Sequence, residues 1–157
     1  MKKSSSRKSV VPGSGQGTTL GKADFEKLSH FRYRLRCFLR LSEDLCQKHG
    51  LTQLQYLLLL HVKGFPGRDW ATIGELAEKL QAKHNGTVAL VDRCEKAGLV
   101  KRIARKEDRR QVAVHLQPKG AQLLESLAAL HQPELQLLRE EFNLPAWGGP
   151  AAVEVEP

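Results

Sequence analysis

The chain has 157 residues, 41% of them hydrophobic, enough for one domain with a core and too few for two ordinary domains. Its formal net charge of +8 suits a negatively charged partner, whether nucleic acid, an anionic membrane or an acidic protein, and does not choose among them. The longest apolar run, Leu57 to Leu60 with Val62 close by, is far short of the roughly 20 residues of a membrane span.

The start, Met1-Lys2-Lys3, leads into Ser, Gly and Pro where a secretory signal would be apolar, and three irregularly spaced cysteines form no disulfide framework. A cytoplasmic protein is expected. Residues 1–22 carry Lys2, Lys3, Arg7, Lys8 and Lys22 with no acid, leaving +3 for the remainder, and read as a disordered basic arm. From Asp24 a helical period sets in, with Leu28, Phe31, Leu35, Phe38 and Leu45 on one stripe, closed by Gly50. Thr52 with Gln55 has capping-box spacing and starts a second helix, apolar nearly all round and so expected at the centre of the domain.

After the break Gly64-Phe65-Pro66-Gly67, Thr72 with Glu75 repeats the capping box and opens a third helix through Ile73, Leu76, Ala77 and Leu80. The short link Gln81-Ala82 leads to a fourth, from Lys83 to Lys96, with Val88, Val91 and Cys94 inward and Gly98 closing it. Two helices joined so tightly form a helix-turn-helix. Val100 to Ala104 and Gln111 to Leu116 then read as a two-stranded hairpin, the second strand turning Val112, Val114 and Leu116 inward. A last helix is expected from Ala121 to Phe142, kinked or restarted at Pro133, before a flexible tail over 143–157.

The fourth helix offers Lys83, His84, Asn85 and Thr87 at its N-terminal end. In helix-turn-helix proteins that end meets base edges: Lys suits guanine acceptors and Asn can pair bidentately with adenine. Gly86 is costly inside a helix unless another backbone or DNA comes close. The hairpin sets Lys101, Arg102, Arg105, Lys106, Arg109 and Arg110 against only Glu107 and Asp108, and arginines at a narrow tip can enter a minor groove. Asp108 is expected to buttress one neighbouring arginine. Arg93 fits a phosphate contact or a structural ion pair equally well. The plain alternative for all these residues is a solvated helix start and a solvated turn.

The stretches Leu76-Ala77-Glu78-Lys79-Leu80, Thr87 to Val100, Asp108-Arg109-Arg110 and Leu116-Gln117-Pro118-Lys119-Gly120 resemble the MarR family, and the resemblance covers about Phe25 to Phe142. It implies a mostly α (α+β) winged helix-turn-helix domain over 23–142, with a DNA-binding lobe at about 51–117 and dimerisation helices at both ends. It further implies a homodimer on double-stranded DNA, a recognition helix at Lys83 to Lys96 and a wing arginine at Arg109 or Arg110. Members commonly repress transcription and are released by small aromatic ligands or by oxidation. By analogy, Arg32, Arg36, His61 and Trp70 are candidates for an effector site between the dimer helices and the DNA-binding lobe. Cys94 stands where the family usually has Leu, and Pro118 replaces a frequent Thr.

Other chemistry has little support in the sequence. Cys37 falls on or beside the apolar stripe, where a free cysteine behaves as a small hydrophobe, and Cys46 with His49 has metal-sharing spacing but no further ligands. Gly13-Ser14-Gly15-Gln16-Gly17 follows no strand, and no nucleophile elbow or Walker loop occurs, so no enzyme, cofactor or metal is expected. The expectation is a sequence-specific DNA-binding regulator, a ligand-responsive repressor. Its rivals are a winged-helix protein-interaction module and a nonspecific architectural DNA binder.

Overall fold

The element order along the chain is α1 (Lys22–Lys48), α2 (Gln53–Lys63), β1 (Trp70–Thr72), α3 (Ile73–Lys79), α4 (His84–Lys96), β2 (Val100–Ala104), β3 (Val112–Leu116) and α5 (Pro118–Glu141). The computed structural model describes residues 20–105 and 111–141. The arm up to residue 19, the hairpin tip from Lys106 to Arg110 and the tail from Phe142 lie outside the described residues, as does the expected Asp108–arginine pair.

Local chemistry fixes the helix ends. Thr52 and Thr72 each close a capping box, the Thr52 N–H donating to Gln55 Oε1 at 2.9 Å and the Thr72 N–H to Glu75 Oε2 at 2.8 Å. At the far ends, α1, α3 and α4 stop in the same way. Leu51 N–H donates to the Cys46 carbonyl, Ala82 N–H to Ala77 and Leu99 N–H to Cys94, each at 2.9 Å, around a residue of positive φ. That residue is Gly50 (φ 74°) and Gly98 (φ 73°) after α1 and α4, but Gln81 (φ 51°) between α3 and α4. Gln81 Nε2 donates to the Glu78 carbonyl at 2.7 Å, holding the turn of the helix-turn-helix in a left-handed conformation that a non-glycine residue seldom takes.

One apolar cluster joins all the elements: Cys46 from α1, Tyr56, Leu58, Leu59 and Val62 from α2, Ala71 from β1, Leu76 from α3, Leu90, Val91 and Cys94 from α4, Val100, Val114, and Leu124 and Leu127 from α5. α2 packs against most of the others, yet Leu54 and Leu60 on it are exposed, so it is less completely enclosed than its composition suggests.

Three sequence expectations change. The hairpin is part of a three-stranded antiparallel sheet in the order β1-β3-β2, because Trp70, Ala71 and Thr72 pair with His115, Val114 and Ala113. With β1 beside it, β3 buries Ala113 as well as Val114, and strict alternation is lost. The last helix begins at Pro118 and runs through Pro133 without a restart. Pro118 suits a first helical turn, where no N–H is needed, and Pro133 and Ala129 are exposed, so the carbonyl that loses its donor faces water.

Candidate nucleic-acid interface

Helix α4 turns two faces to different surroundings. Thr87, Leu90, Val91 and Cys94 are buried, while Asn85, Ala89, Arg93 and Lys96 form an exposed stripe at helical spacing. Lys83, His84, Asn85 and Gly86 are all exposed at the N-terminal tip, and Lys83, the N-cap, makes no side-chain cap bond. No acid occupies that first turn, so its amides and the helix dipole present a positive end. A Cβ placed on Gly86 would meet nothing within 4 Å among the described residues, so none of them accounts for that glycine.

Thr87 does not belong to this surface. It is 1% exposed, and its hydroxyl donates to the Lys83 carbonyl at 3.2 Å, tying the first turn from inside. A threonine hydroxyl satisfied within the helix and shielded by the core does not reach a base edge. Sequence reading missed Ala89 on the outer stripe. With Gly86 it leaves a shallow strip between polar groups, and only the burial of its neighbours shows which way it points.

The sheet brings the base of the wing beside this tip. His84 lines a cavity of 450 Å³ with Arg105, Gln111, Thr72 and Glu75, so the polar helix end and Arg105 share one concave face. Arg105 is half-buried: its Nη1 donates to Gln111 Oε1 at 2.9 Å, and its guanidinium carbon lies 4.8 Å from the centroid of the Trp70 ring. The Arg68 guanidinium lies 3.8 Å from the same centroid and 4.2 Å from that of Phe65. Arg68 also pairs with Glu75. Burial works to raise the Glu75 carboxyl, but hydrogen bonds from Thr72 and Arg68 outweigh it and hold that carboxyl below its ordinary value.

Arg93 is exposed in the last turn of α4 and has no ion-pair partner among the described residues, which removes the structural alternative left open for it there. Asp92 and Glu95, the nearby acids, are instead taken by Arg102 of β2. Arg109 and Arg110 lie outside the described residues.

The four effector candidates lie on three elements, α1, α2 and β1. Arg32 and Arg36 line a 420 Å³ cavity on α1 with Tyr33, Leu35 and Leu39. His61 is half-buried at the end of α2, where burial and the Lys79 charge push its imidazole below the ordinary value. Trp70 is already engaged by two guanidinium groups. The cavities that Arg32 or Arg36 line include neither His61 nor Trp70.

The fold and this surface define a winged helix-turn-helix protein. Residues 49–111 match the MarR family. The HTH-type transcriptional regulator YsmB of Bacillus subtilis (strain 168) is 34% identical over 85 residues, covering 50% of this chain and 58% of YsmB. A MarR family protein from Bacillus stearothermophilus superposes with a TM-score of 0.62 at 27% identity, over 77% of this chain and 81% of that one. A mutant of MepR from S. aureus, solved bound to an oligodeoxyribonucleotide, gives a TM-score of 0.59 at 19% identity over 75% and 83% of the two chains. The chain is thus similar to MarR family proteins, through the match over residues 49–111 and through its fold. It spans about half the length of the curated relatives it matches, 58% and 46%. Those relatives are regulators of transcription, not enzymes.

Proposed function

We propose that this chain is a homodimeric, sequence-specific double-stranded DNA-binding regulator of transcription, a repressor released by a small aromatic effector. The observation that carries the reading is the shared concave face. Lys83, His84, Asn85 and Gly86 stand exposed at the tip of α4, with Arg93 and Lys96 further along it and Arg105 beside them at the base of the wing. Lys83 and Asn85 read base edges in a major groove, Arg93 and Lys96 hold phosphates, and Arg105, Arg109 and Arg110 serve the wing in the adjacent minor groove. The MepR complex with an oligodeoxyribonucleotide supports DNA as the partner of this fold.

Two copies pair through α1 and α5. Phe25, Leu28, Tyr33 and Leu39 on α1 and Leu130 and Leu135 on α5 are large apolar side chains left exposed, in a chain whose two long helices pack against each other. A dimer would set its two recognition helices roughly 34 to 36 Å apart, one turn of B-DNA, on a pseudo-palindromic site. The effector sits in the cavity that Arg32 and Arg36 line with Tyr33, Leu35 and Leu39, cations beside apolar side chains that suit an aromatic acid, and acts by favouring a dimer spacing that no longer fits.

The test is selection of bound duplexes from a random-sequence library, followed by a salt series on the enriched duplex and on a scramble of it. A regulator enriches a two-half-site sequence and keeps a preference for it against competitor DNA. Equal binding to both duplexes that collapses together with salt would replace this reading with a nonspecific architectural binder.

A further inference from the structure

Asp92 and Glu95 stand on α4 beside the exposed stripe of Ala89, Arg93 and Lys96, where free carboxylates would repel a phosphate backbone. Both are held by one residue of the wing. Arg102 in β2 donates through Nη2 to Asp92 Oδ1 at 2.5 Å and through Nη1 to Glu95 Oε2 at 2.8 Å. Its backbone N–H donates to Glu95 Oε1 at 2.9 Å, and Nη2 also lies 3.4 Å from the Val88 carbonyl. Val88, Asp92 and Glu95 occupy successive turns of one helix face, so a single planar fork spans about two turns of α4 and fixes both its distance from the strand and its rotation.

The side chains are only partly shielded, Arg102 at 25% exposure against 46% for Asp92 and 35% for Glu95. Pairs this exposed contribute modestly to stability, so geometry is their larger effect. Burial acts to lower the Arg102 pKa, and the two carboxylates more than reverse it. The guanidinium therefore stays charged in the folded protein.

We propose that Arg102 is a positioning residue for DNA recognition: it locks the angle between the recognition helix and the wing and holds Asp92 and Glu95 away from the phosphates. This rests on the reading of α4 as the DNA-facing helix.

The experiment uses the full chain and fluorescence anisotropy on the enriched duplex and its scramble over a range of salt concentrations. Arg102→Lys keeps the charge and loses the fork. It is expected to bind the enriched duplex about tenfold more weakly, the loss of one charge-assisted pairing, with the scramble nearly unaffected and thermal unfolding little changed. Asp92→Asn with Glu95→Gln makes the chain more positive by two. It is expected to tighten the scramble while weakening the enriched duplex, so the preference falls from both sides, and hydrogen exchange along residues 84–96 should rise in both variants. A purely electrostatic role predicts that the double variant tightens both duplexes equally, and that outcome overturns the proposal. So does Arg102→Lys binding the enriched duplex like the parent. If the parent chain enriches no duplex at all, the DNA reading itself fails and takes this one with it.

Discussion

Gly120 in the first turn of α5 lies directly against the backbone of Leu99: a Cβ built on it would fall 2.1 Å from the Leu99 carbonyl oxygen and 2.9 Å from the carbonyl carbon. The same carbonyl accepts the Gln117 N–H at 2.9 Å, and Gln117 Nε2 donates to the Val100 carbonyl at 3.0 Å, so α5 is fastened at the point where β2 leaves α4. Gly120→Ala cannot be relieved by a rotamer change, because the obstacle is backbone. We expect a loss of about 3 kcal/mol or more, the upper end of overpacking costs, read as a lower urea midpoint at unchanged slope.

Gly86→Ala has the opposite expectation for stability. The glycine is helical, exposed and surrounded by open space, so an alanine there should raise stability by about 0.5–1 kcal/mol through helix propensity alone. The same methyl group would stand where a base edge or a phosphate approaches. The variant should melt at a higher temperature and bind the enriched duplex more weakly. A variant that is more stable and binds equally well would show that DNA does not come close at this position.

The helix boundaries were legible in the sequence wherever one side chain decides them: the two capping boxes and the closing glycines Gly50 and Gly98 are local chemistry with a fixed spacing. What escaped depends on the tertiary setting. β1 is three residues long and exists only because β3 offers it an edge. Gln81 does the work a glycine does after α1 and α4, and nothing in its residue type announces that. At the site, the exposed tip of α4 was readable, but whether Thr87 faces outward depends on where the core lies, which a count of polar residues does not contain. The role of Arg102 was hidden for the same reason. Six cations in ten residues look alike until two carboxylates on another element single one of them out.

Burial pushes the Cys94 thiol up to about 11, while the unfolded chain keeps an ordinary thiol near 9. Below that ordinary value the group is protonated in both states and is neutral to stability. Between pH 9 and 11 the unfolded chain alone loses the proton, so stability falls as pH rises, by an amount on the order of 2 kcal/mol. Urea melts of the parent and of Cys94→Ala across this window should converge as pH rises. Parallel curves would show that the thiol ionises in the folded protein as readily as outside it. At neutral pH, Cys37, which is half-exposed, should react with a thiol reagent before the buried Cys46 and Cys94.

Pairing of two copies through α1 and α5, as proposed, would bury Tyr33 and Leu135, which are 63% and 50% exposed in the single chain. Tyr33→Asp combined with Leu135→Glu places charges on that surface without touching the core of the DNA-binding lobe. Size exclusion with light scattering should change from a dimer to a monomer at micromolar concentration, while the helical circular dichroism signal is kept. DNA affinity should then fall sharply, since one half-site is held at a time. A parent chain that is already monomeric at that concentration would end the two-half-site mechanism.

The wing arginines carry separate predictions. Arg105 is engaged by the Trp70 ring and by Gln111, so Arg105→Ala disturbs the base of the hairpin as well as removing a charge, and thermal stability should fall slightly along with affinity. Arg109→Ala with Arg110→Ala is expected to leave stability nearly intact and weaken binding strongly. If both side chains neutralise phosphates, the slope of log affinity against log salt should become shallower by about 1.8, roughly 0.9 for each phosphate no longer neutralised. If instead they enter a minor groove and read its width, the double substitution should weaken duplexes with a narrow groove at the flanks far more than others, with a smaller change in slope. Affinity and slope both unchanged would remove the wing from the interface and leave recognition to the tip of α4 alone.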